Sequence, residues 1–396
     1  MASPHVVYVA AQRLFVKRGD DEPLSVESKF VASVRDRAAS QKRKNAWREQ
    51  GMGAAFQGRM LWGMDGDDAL GVGNLARITG LSRGSAPGEV LYTIDTGKVS
   101  ALCAMDALAP TPDDTERRVF HSADDRVARP SSVKDGYLLC DMPTDAGSTN
   151  LTVLLDDGSD TTVLTGGDSA DAAASWVPGE DRQLVFHSAG VGRDAAGAFM
   201  GLGPSEIQRL DIPSGELATV ASDPKHDFLA PRVDAEGTLY CIRRPYRSPQ
   251  EPPSTWRAIL DFLLFPFRIL AAIFGWLNFF TARYTGKPLT TAGTASKKAA
   301  DARQLMIWGN LVDASRAAEE APDDDDGLVP RSWELVRFVG DGPADTIARG
   351  VITYDLDGEG GVVFSNGRAL HHVSASGTKT KLVDAEGVTH LVVLPA

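Results

Sequence analysis

Ala174-Ser-Trp-Val-Pro-Gly-Glu-Asp181, running on to Gln183-Leu-Val-Phe186 and closing at Asp211-Ile-Pro-Ser-Gly215, is the stretch whose reading decides the fold. Pro178, Gly179 and Asp181 supply a tight turn, because proline presets φ, glycine accepts positive φ and aspartate caps nearby backbone N–H groups. The apolar run after the turn is short and bounded by polar breakers, which reads as one arm of a hairpin.

The pattern recurs along the chain. Lys134-Asp-Gly136 precedes Tyr137, Asp234-Ala-Glu-Gly237 precedes Leu239, and Asp357-Gly-Glu-Gly-Gly361 precedes Val362. Further runs read as strands at Val90 to Ile94 and Leu151 to Leu155. A second turn and a closing strand follow at Leu155-Asp-Asp-Gly158, at Asp211 to Gly215 and at Val373-Ser-Ala-Ser-Gly377. Four strands per unit, with starts roughly 45 to 60 residues apart, is the spacing of propeller blades with long loops.

These residues resemble the TolB-like, or WD40-like, β-propeller repeats, whose blades carry a W-S-P-D-G-x-x-I-A-F stretch and a later D-x-x-x-G stretch. The resemblance covers about residues 77 to 394 and implies a fold more than an activity. Other blades are degenerate, since Trp176 has no counterpart at Arg232 or Tyr354. The expected fold is all-β: a six-bladed β-propeller with blades at 77–122, 126–165, 169–222, 226–338 and 345–384. The sixth is completed by residues 1–24 together with the lone strand at Val388 to Leu394, which closes the ring and removes exposed sheet edges. A polar helical excursion is expected within 25–60, read as a helix over 25–50 carrying Arg35, Arg37, Lys42, Arg43, Lys44 and Arg48 and facing solvent. By resemblance, such propellers bind proteins or peptides on a rim or over the channel. TolB's periplasmic role is not carried over, because neither an export signal nor a preceding α/β domain is legible here.

Composition narrows the function. A 43% hydrophobic, 24% charged chain of 396 residues can bury a core, which excludes wholesale disorder. A formal net charge of -12 argues against nucleic acid as the main partner, because phosphate requires clustered cations. Cys103, Cys140 and Cys241 form no CxxC pair and suit a reducing compartment. Met1 to Asp20 places Arg13, Lys17 and Arg18 within its apolar stretch, unlike a secretory leader, so a cytoplasmic location is expected.

One segment departs from the repeat. Residues 250–303 hold Trp256 to Tyr284, WRAILDFLLFPFRILAAIFGWLNFFTARY, whose apolar stretch from Phe262 is long enough to span a bilayer apart from Arg268. Strands of one blade are expected before it, at Leu239 to Arg243, and after it, at Gln304 to Val312, so a single crossing would split that blade. The expectation is therefore an in-plane or re-entrant amphipathic helix, or one held against a protein partner. Arg257, Asp261, Arg268 and Gly275 share one stripe at helical spacing. Trp256, Leu260, Phe262, Leu263, Phe265, Phe267, Ile269, Leu270, Ile273, Phe274, Trp276, Leu277, Phe279 and Phe280 are left as the lipid-facing set. Arg257, Arg268, Arg283, Lys287, Lys297 and Lys298 are the residues for anionic headgroups. Between Arg243 and Arg303 ten basic and three acidic residues give +7, against -19 for the remainder. That asymmetry suits the inner face of a plasma membrane.

Apparent catalytic motifs read as structural. Gly80-Leu-Ser-Arg-Gly84 matches a nucleophile elbow, but Pro87 and Gly88 preclude the helix that must follow, so a blade-connecting loop is expected. Gly71-Val-Gly73 and Gly201-Leu-Gly203 read as turns, Asp323 to Asp326 as a solvated acidic loop, and the histidines lack metal-ligand spacing. No catalytic residue, metal or cofactor is assigned. The function expected is a non-catalytic scaffold that binds a protein partner and associates with anionic lipid. A hydrolase or lyase using some of His121, His187, Asp355 and His371 is one alternative, and a propeller that self-associates through the insertion is another.

Overall fold

The computed structural model describes residues 3–34, 36, 37, 40, 77–96, 99–122, 129–144, 147–155, 161–248, 304–307, 310–313, 327–339 and 344–395. Alternating turns and apolar runs become antiparallel meanders. Strands β1 (His5–Ala10), β2 (Arg13–Lys17) and β3 (Leu24–Val26) form one. β4 (Arg77–Arg83), β5 (Glu89–Asp95), β6 (Ser100–Asp106) and β7 (Arg117–Ser122) form the next. β8 (Arg129–Lys134), β9 (Tyr137–Pro143), β10 (Thr149–Leu155) and β11 (Thr161–Val163) follow in the same order. The next meander begins with β12 (Ser169–Trp176) and β13 (Gln183–Arg193), then the short β14 (Phe199–Leu202) that pairs with the end of β13, and closes with β15 (Glu206–Asp211) and β16 (Glu216–Ala221). A parallel pair at Thr149 and Ala170 joins these two meanders into one nine-stranded sheet.

β17 (His226–Val233) and β18 (Leu239–Pro245) open the following sheet. The chain then makes a two-stranded hairpin, β19 (Gln304–Ile307) with β20 (Asn310–Asp313), before β21 (Glu334–Phe338) and β22 (Asp345–Arg349) complete it in the order β17-β18-β21-β22. β23 (Thr353–Leu356), β24 (Val362–Ser365), β25 (Ala369–Val373) and β26 (Lys379–Asp384) form the last full meander, and β27 (Val388–Leu394) returns to pair with β1.

The core lies between successive sheets. Val9 and Leu14 meet Tyr92 and Ile94, Leu91 and Leu102 meet Leu138 and Cys140, and Leu139 and Leu151 meet Trp176 and Phe186. Val185 and Ile207 meet Cys241 and Val336, while Tyr240 and Leu335 meet Tyr354 and Phe364. The last cluster brings Val363 and Leu370 against Val6, Tyr8 and Val393, which returns the packing to the sheet that holds both termini. Burial is thus continuous around the molecule, and the sheet shared by the termini leaves no free seam between β1 and β27.

The turns follow the chemistry read from the sequence. Asp135 and Gly136 both take positive φ, 51° and 79°, as a two-residue hairpin between β8 and β9 requires. Asp357 Oδ1 accepts from the backbone N–H of Glu359 and of Gly361, each at 2.8 Å, and Asp234 Oδ1 plays the same part for Glu236 and Thr238. Such local capping explains why Asp opens these loops.

Four expectations change. Asp345–Arg349 closes the preceding sheet and does not open the next one, because its backbone pairs with β21 from Glu334↔Arg349 to Arg337↔Asp345, with Arg349 also 3.3 Å from the Glu334 carboxylate. The strand that rejoins β18 is β21, whereas residues 304–313 form their own hairpin, so the excursion from the blade is longer than 250–303. Residues 25 and 26 continue the strand that begins at Leu24 instead of starting a helix, since β3 pairs with β2. The helical backbone at 29–34 is docked at its start, not solvated: the Glu116 carboxylate accepts from the N–H groups of Lys29 and Phe30 at 2.8 and 2.9 Å, and Phe30 and Val31 pack on the core. A carboxylate suits that helix end because its first N–H groups have no helical acceptor. Residues 35, 38, 39 and 41–50 of that expected helix, and 51–60 of the excursion, lie outside the described residues.

Candidate functional site

The inner strands β4, β8, β12, β17 and β23 end around one cavity of about 300 Å³, which β27 also lines. Its floor is a charged triad. Arg83 Nη2 donates to Asp355 Oδ2 at 3.0 Å and to the Leu356 carbonyl at 2.6 Å, and Arg232 Nε stands 3.8 Å from Asp355 Oδ1. Asp355 Oδ2 also accepts from the Val393 N–H at 2.9 Å, so the carboxylate is fixed by backbone as well as by cations. Ser131, Ser132 and Ser175 add hydroxyls to the walls, and the Asp234 turn, with Tyr240 Oη donating to Asp234 Oδ2 at 3.1 Å, forms a rim. Charges of both signs and three hydroxyl side chains thus line one mouth.

Below the mouth, neighbouring sheets are latched by equivalent side chains. Asp141 of β9 accepts from the Ala173 N–H with both oxygens, at 3.0 and 3.1 Å, and His187 of β13 accepts from the Ala230 N–H through Nδ1 at 3.3 Å. Ala173 and Ala230 sit at bulges with φ of 54° and 51°, which turns each N–H out of the ladder and leaves it needing a side-chain acceptor. Burial pushes the Asp141 carboxyl up to about 6 although Arg129 and Arg232 oppose it. Burial, reinforced by Arg129, Arg244 and Arg232, pushes His187 down to about 3 and keeps it neutral. A neutral ring is what an acceptor at Nδ1 requires.

The residues weighed as catalytic do not share a cavity. Asp355 lines the mouth, whereas His187 lines a second cavity of about 520 Å³ at the opposite ends of the inner strands. His121 is exposed on β7, and His371 is buried on β25 with its ring stacked on Phe364 at 5.1 Å. Gly80-Leu-Ser-Arg-Gly84 falls mostly on strand β4, not in a loop, and Ser82 Oγ donates to the Arg83 carbonyl at 3.0 Å. Gly80 is small because a Cβ there would lie 2.7 Å from Arg129 Cα and 2.6 Å from Pro130 Cδ of β8. Gly201 lies within β14, so Gly201 to Gly203 is a strand end more than a turn. Gly71 to Gly73 and Asp323 to Asp326 lie outside the described residues. Among the described residues no three His, Cys, Asp or Glu side chains converge as a metal-ligand set, and all three cysteines are free and buried.

Trp256, Leu260, Phe262 and the rest of the lipid-facing set, with the six headgroup residues Arg257 to Lys298, also lie outside the described residues. Among the described residues no helix is long and apolar enough to cross a membrane. The ends of the excursion are described, and they change its charge. Arg243 is bound to Glu334 at 2.6 Å and Arg244 to Asp227 at 2.9 Å, so neither cation is available to lipid. From Pro245 to Arg303 eight basic and three acidic residues remain, a formal +5 in place of +7.

The structure of TolB from Acinetobacter baumannii superimposes with a TM-score of 0.51 at 11% identity, covering 99% of this chain and 67% of that one. The fold is a TolB-like β-propeller. At such identity the likeness of this propeller extends to architecture alone. A nidogen/laminin complex aligns at a TM-score of 0.47 and 8% identity over 100% of both chains. A puromycin-hydrolyzing peptidase from Mycobacterium tuberculosis aligns at 0.41 and 11% identity, over 97% of this chain and 44% of that one. No family model matches the propeller's sequence, and no curated protein does either. Arg83, Arg232 and Asp355 were beyond reach as a group in the sequence, although Arg232 and Asp355 each stand two residues before an Asp-opened turn.

Proposed function

We propose that this chain is a non-catalytic propeller of six blades, moored to an anionic bilayer by its insertion and offering its channel mouth to a protein partner. The observation that carries the reading is the pairing of Arg243 with Glu334 across β18 and β21. A chain that leaves at the end of β18 and returns on the adjacent antiparallel strand re-enters on the face it left. That return argues against a single crossing, and we read the apolar segment as lying in the interface or turning back within it, as amphipathic membrane-surface segments do, in preference to packing on a protein partner.

The charge and the apolar set support lipid as the occupant. Each cation near an anionic surface contributes about 1 kcal/mol, and each large side chain moved from water to hydrocarbon about 1.5 to 3 kcal/mol. Fourteen apolar residues and a surplus of cations therefore outweigh Asp261 and the stripe it belongs to. Anionic lipid of this kind coats the cytoplasmic leaflet, which is the location we assign. The mouth with Arg83, Arg232 and Asp355 opens at the other ends of the inner strands, so a moored propeller turns it away from lipid and towards a partner. Separation of His187 from Asp355 weighs against the hydrolase or lyase alternative.

Vesicle flotation tests the reading. The protein is expected to float with vesicles containing phosphatidylglycerol, to float less with phosphatidylcholine alone, and to be released in part by salt. Protein left at the bottom of the gradient with both vesicle types would contradict it.

A further inference from the structure

We infer that the β13–β14 hairpin is a second lipid-contacting element, seating Phe199 and Met200 in the same anionic surface; this rests on the mooring proposed above. β13 is 11 residues long, and its two parts do different work. Gln183 to Ser188 pair with β15 inside the sheet, while Val191 to Arg193 pair with β14, so the hairpin continues past the end of the blade. It connects the second strand of its meander to the next, as the excursion does in the neighbouring sheet. Both connections therefore emerge on one face of the propeller, opposite the mouth.

At the hairpin, Phe199 is 52% and Met200 44% exposed. Val163, Leu217 and Val220 are also exposed, but they lie on the strands β11 and β16 that end their meanders and face sideways. The Phe199 ring lies close to Gly147 of the adjacent meander, where a Cβ would come within 3.1 Å of it. The root of the insertion is tied to the same hairpin, since Tyr246 Oη donates to the Leu202 carbonyl at 2.8 Å. Arg193, the cation nearest the tip, is bound to Asp168 at 2.6 Å, whereas Arg247 at the start of the excursion lines the cavity beside Met200. Two exposed apolar side chains, successive along β14 and next to the departure point of a basic, apolar segment, match a surface of anionic headgroups over hydrocarbon. The match at the hairpin is one of position, continuous with the insertion, which supplies the positive charge.

The test uses the full chain and phosphatidylglycerol vesicles. Phe199→Asp with Met200→Asp is expected to weaken partitioning about tenfold with an unchanged melting midpoint. Because Cys103, Cys140 and Cys241 are buried, a Met200→Cys variant takes a polarity-sensitive fluorophore selectively, and its emission is expected to shift to the blue when vesicles are added. Should the double Asp variant lower the melting midpoint, the fluorophore alone decides. If that variant floats as well as wild type while Phe265→Asp with Phe274→Asp does not, the hairpin inference is overturned and the mooring stands. If wild type itself fails to float, both fall. A fluorophore already blue-shifted without vesicles, and red-shifted by the Phe265 and Phe274 changes, would mean that the insertion covers the hairpin, which also overturns the inference.

Discussion

Arg243 and Glu334 are 91 residues apart in sequence, yet the guanidinium and carboxylate meet at 2.6 Å across two paired strands. Glu334 also takes Arg349 at 3.3 Å, so one carboxylate ties the strand that leaves, the strand that returns and the strand that closes the sheet. Replacing Glu334 with Ala is expected to cost about 1 to 3 kcal/mol, because two cations lose their acceptor in a half-buried site. Urea unfolding checks this, and a midpoint equal to wild type would mean that the strands carry the closure unaided.

The neighbouring pair is more buried and more consequential. Arg244 and Asp227 have side chains 6% exposed each, with Nε 2.9 Å from Oδ2, and the guanidinium lies 4.9 Å from the Trp333 ring centroid. Arg244→Met leaves the Asp227 charge buried without its cation, against the Ser205 N–H at 3.0 Å, an expected loss of about 3 to 5 kcal/mol. Adding Asp227→Asn removes the stranded charge and keeps that acceptor, so the double variant should recover part of the loss. A double variant weaker than the single would contradict the assignment.

Acid should loosen the propeller with a slope set by two histidines and one aspartate. His187 falls from 6.5 to about 3 and His390 from 6.5 to about 4, chiefly by burial. The unfolded chain protonates both rings first, so their stabilisation is complete above pH 6.5 and is lost as pH falls. Asp141 is raised from 3.8 to about 6, and it acts in the opposite sense: the native state takes up its proton first, which stabilises on acidification between those values. One histidine is thereby offset. The net slope between pH 6 and pH 4 is about 1.4 kcal/mol per unit, the value for one proton. Chemical unfolding at pH 6 and 4.5 measures it, and His187→Gln should flatten it; equal stability of wild type at both values would refute the sign.

Gly80 gives a test of the apparent nucleophile motif. Gly80→Ala forces a methyl group against the Arg129 backbone and should destabilise by about 1 to 3 kcal/mol. Ser82→Ala breaks only a bond to the adjacent carbonyl and should shift the melting midpoint by a few degrees at most. Loss of a hydrolytic activity in Ser82→Ala with the fold intact would restore the enzyme reading.

Much of the architecture was legible because it is local. Asp and Gly at 135, 136, 234, 237 and 357 report turns through their own backbone chemistry, and the apolar runs beside them pair as neighbours. The terminal strands were legible because each lacked a complete meander of its own. What escaped depends on contacts between distant segments. Asp345–Arg349 could be given to the wrong sheet because a short strand between two meanders can pair with either, and its ladder with β21 is a tertiary fact that its own residues do not state. Asp141 and His187 differ chemically yet occupy matching latches, so degenerate repeats conceal them. The triad at the mouth joins strands β4, β17 and β23, and only ring closure brings those together.

Mooring by the insertion is tested most directly by comparing flotation of wild type with that of Phe265→Asp combined with Phe274→Asp, on vesicles rich in phosphatidylglycerol. Wild type should collect with the vesicles while the variant, equally stable to heat, stays with the soluble fraction. Equal flotation of the two proteins would contradict the lipid-facing role of that segment.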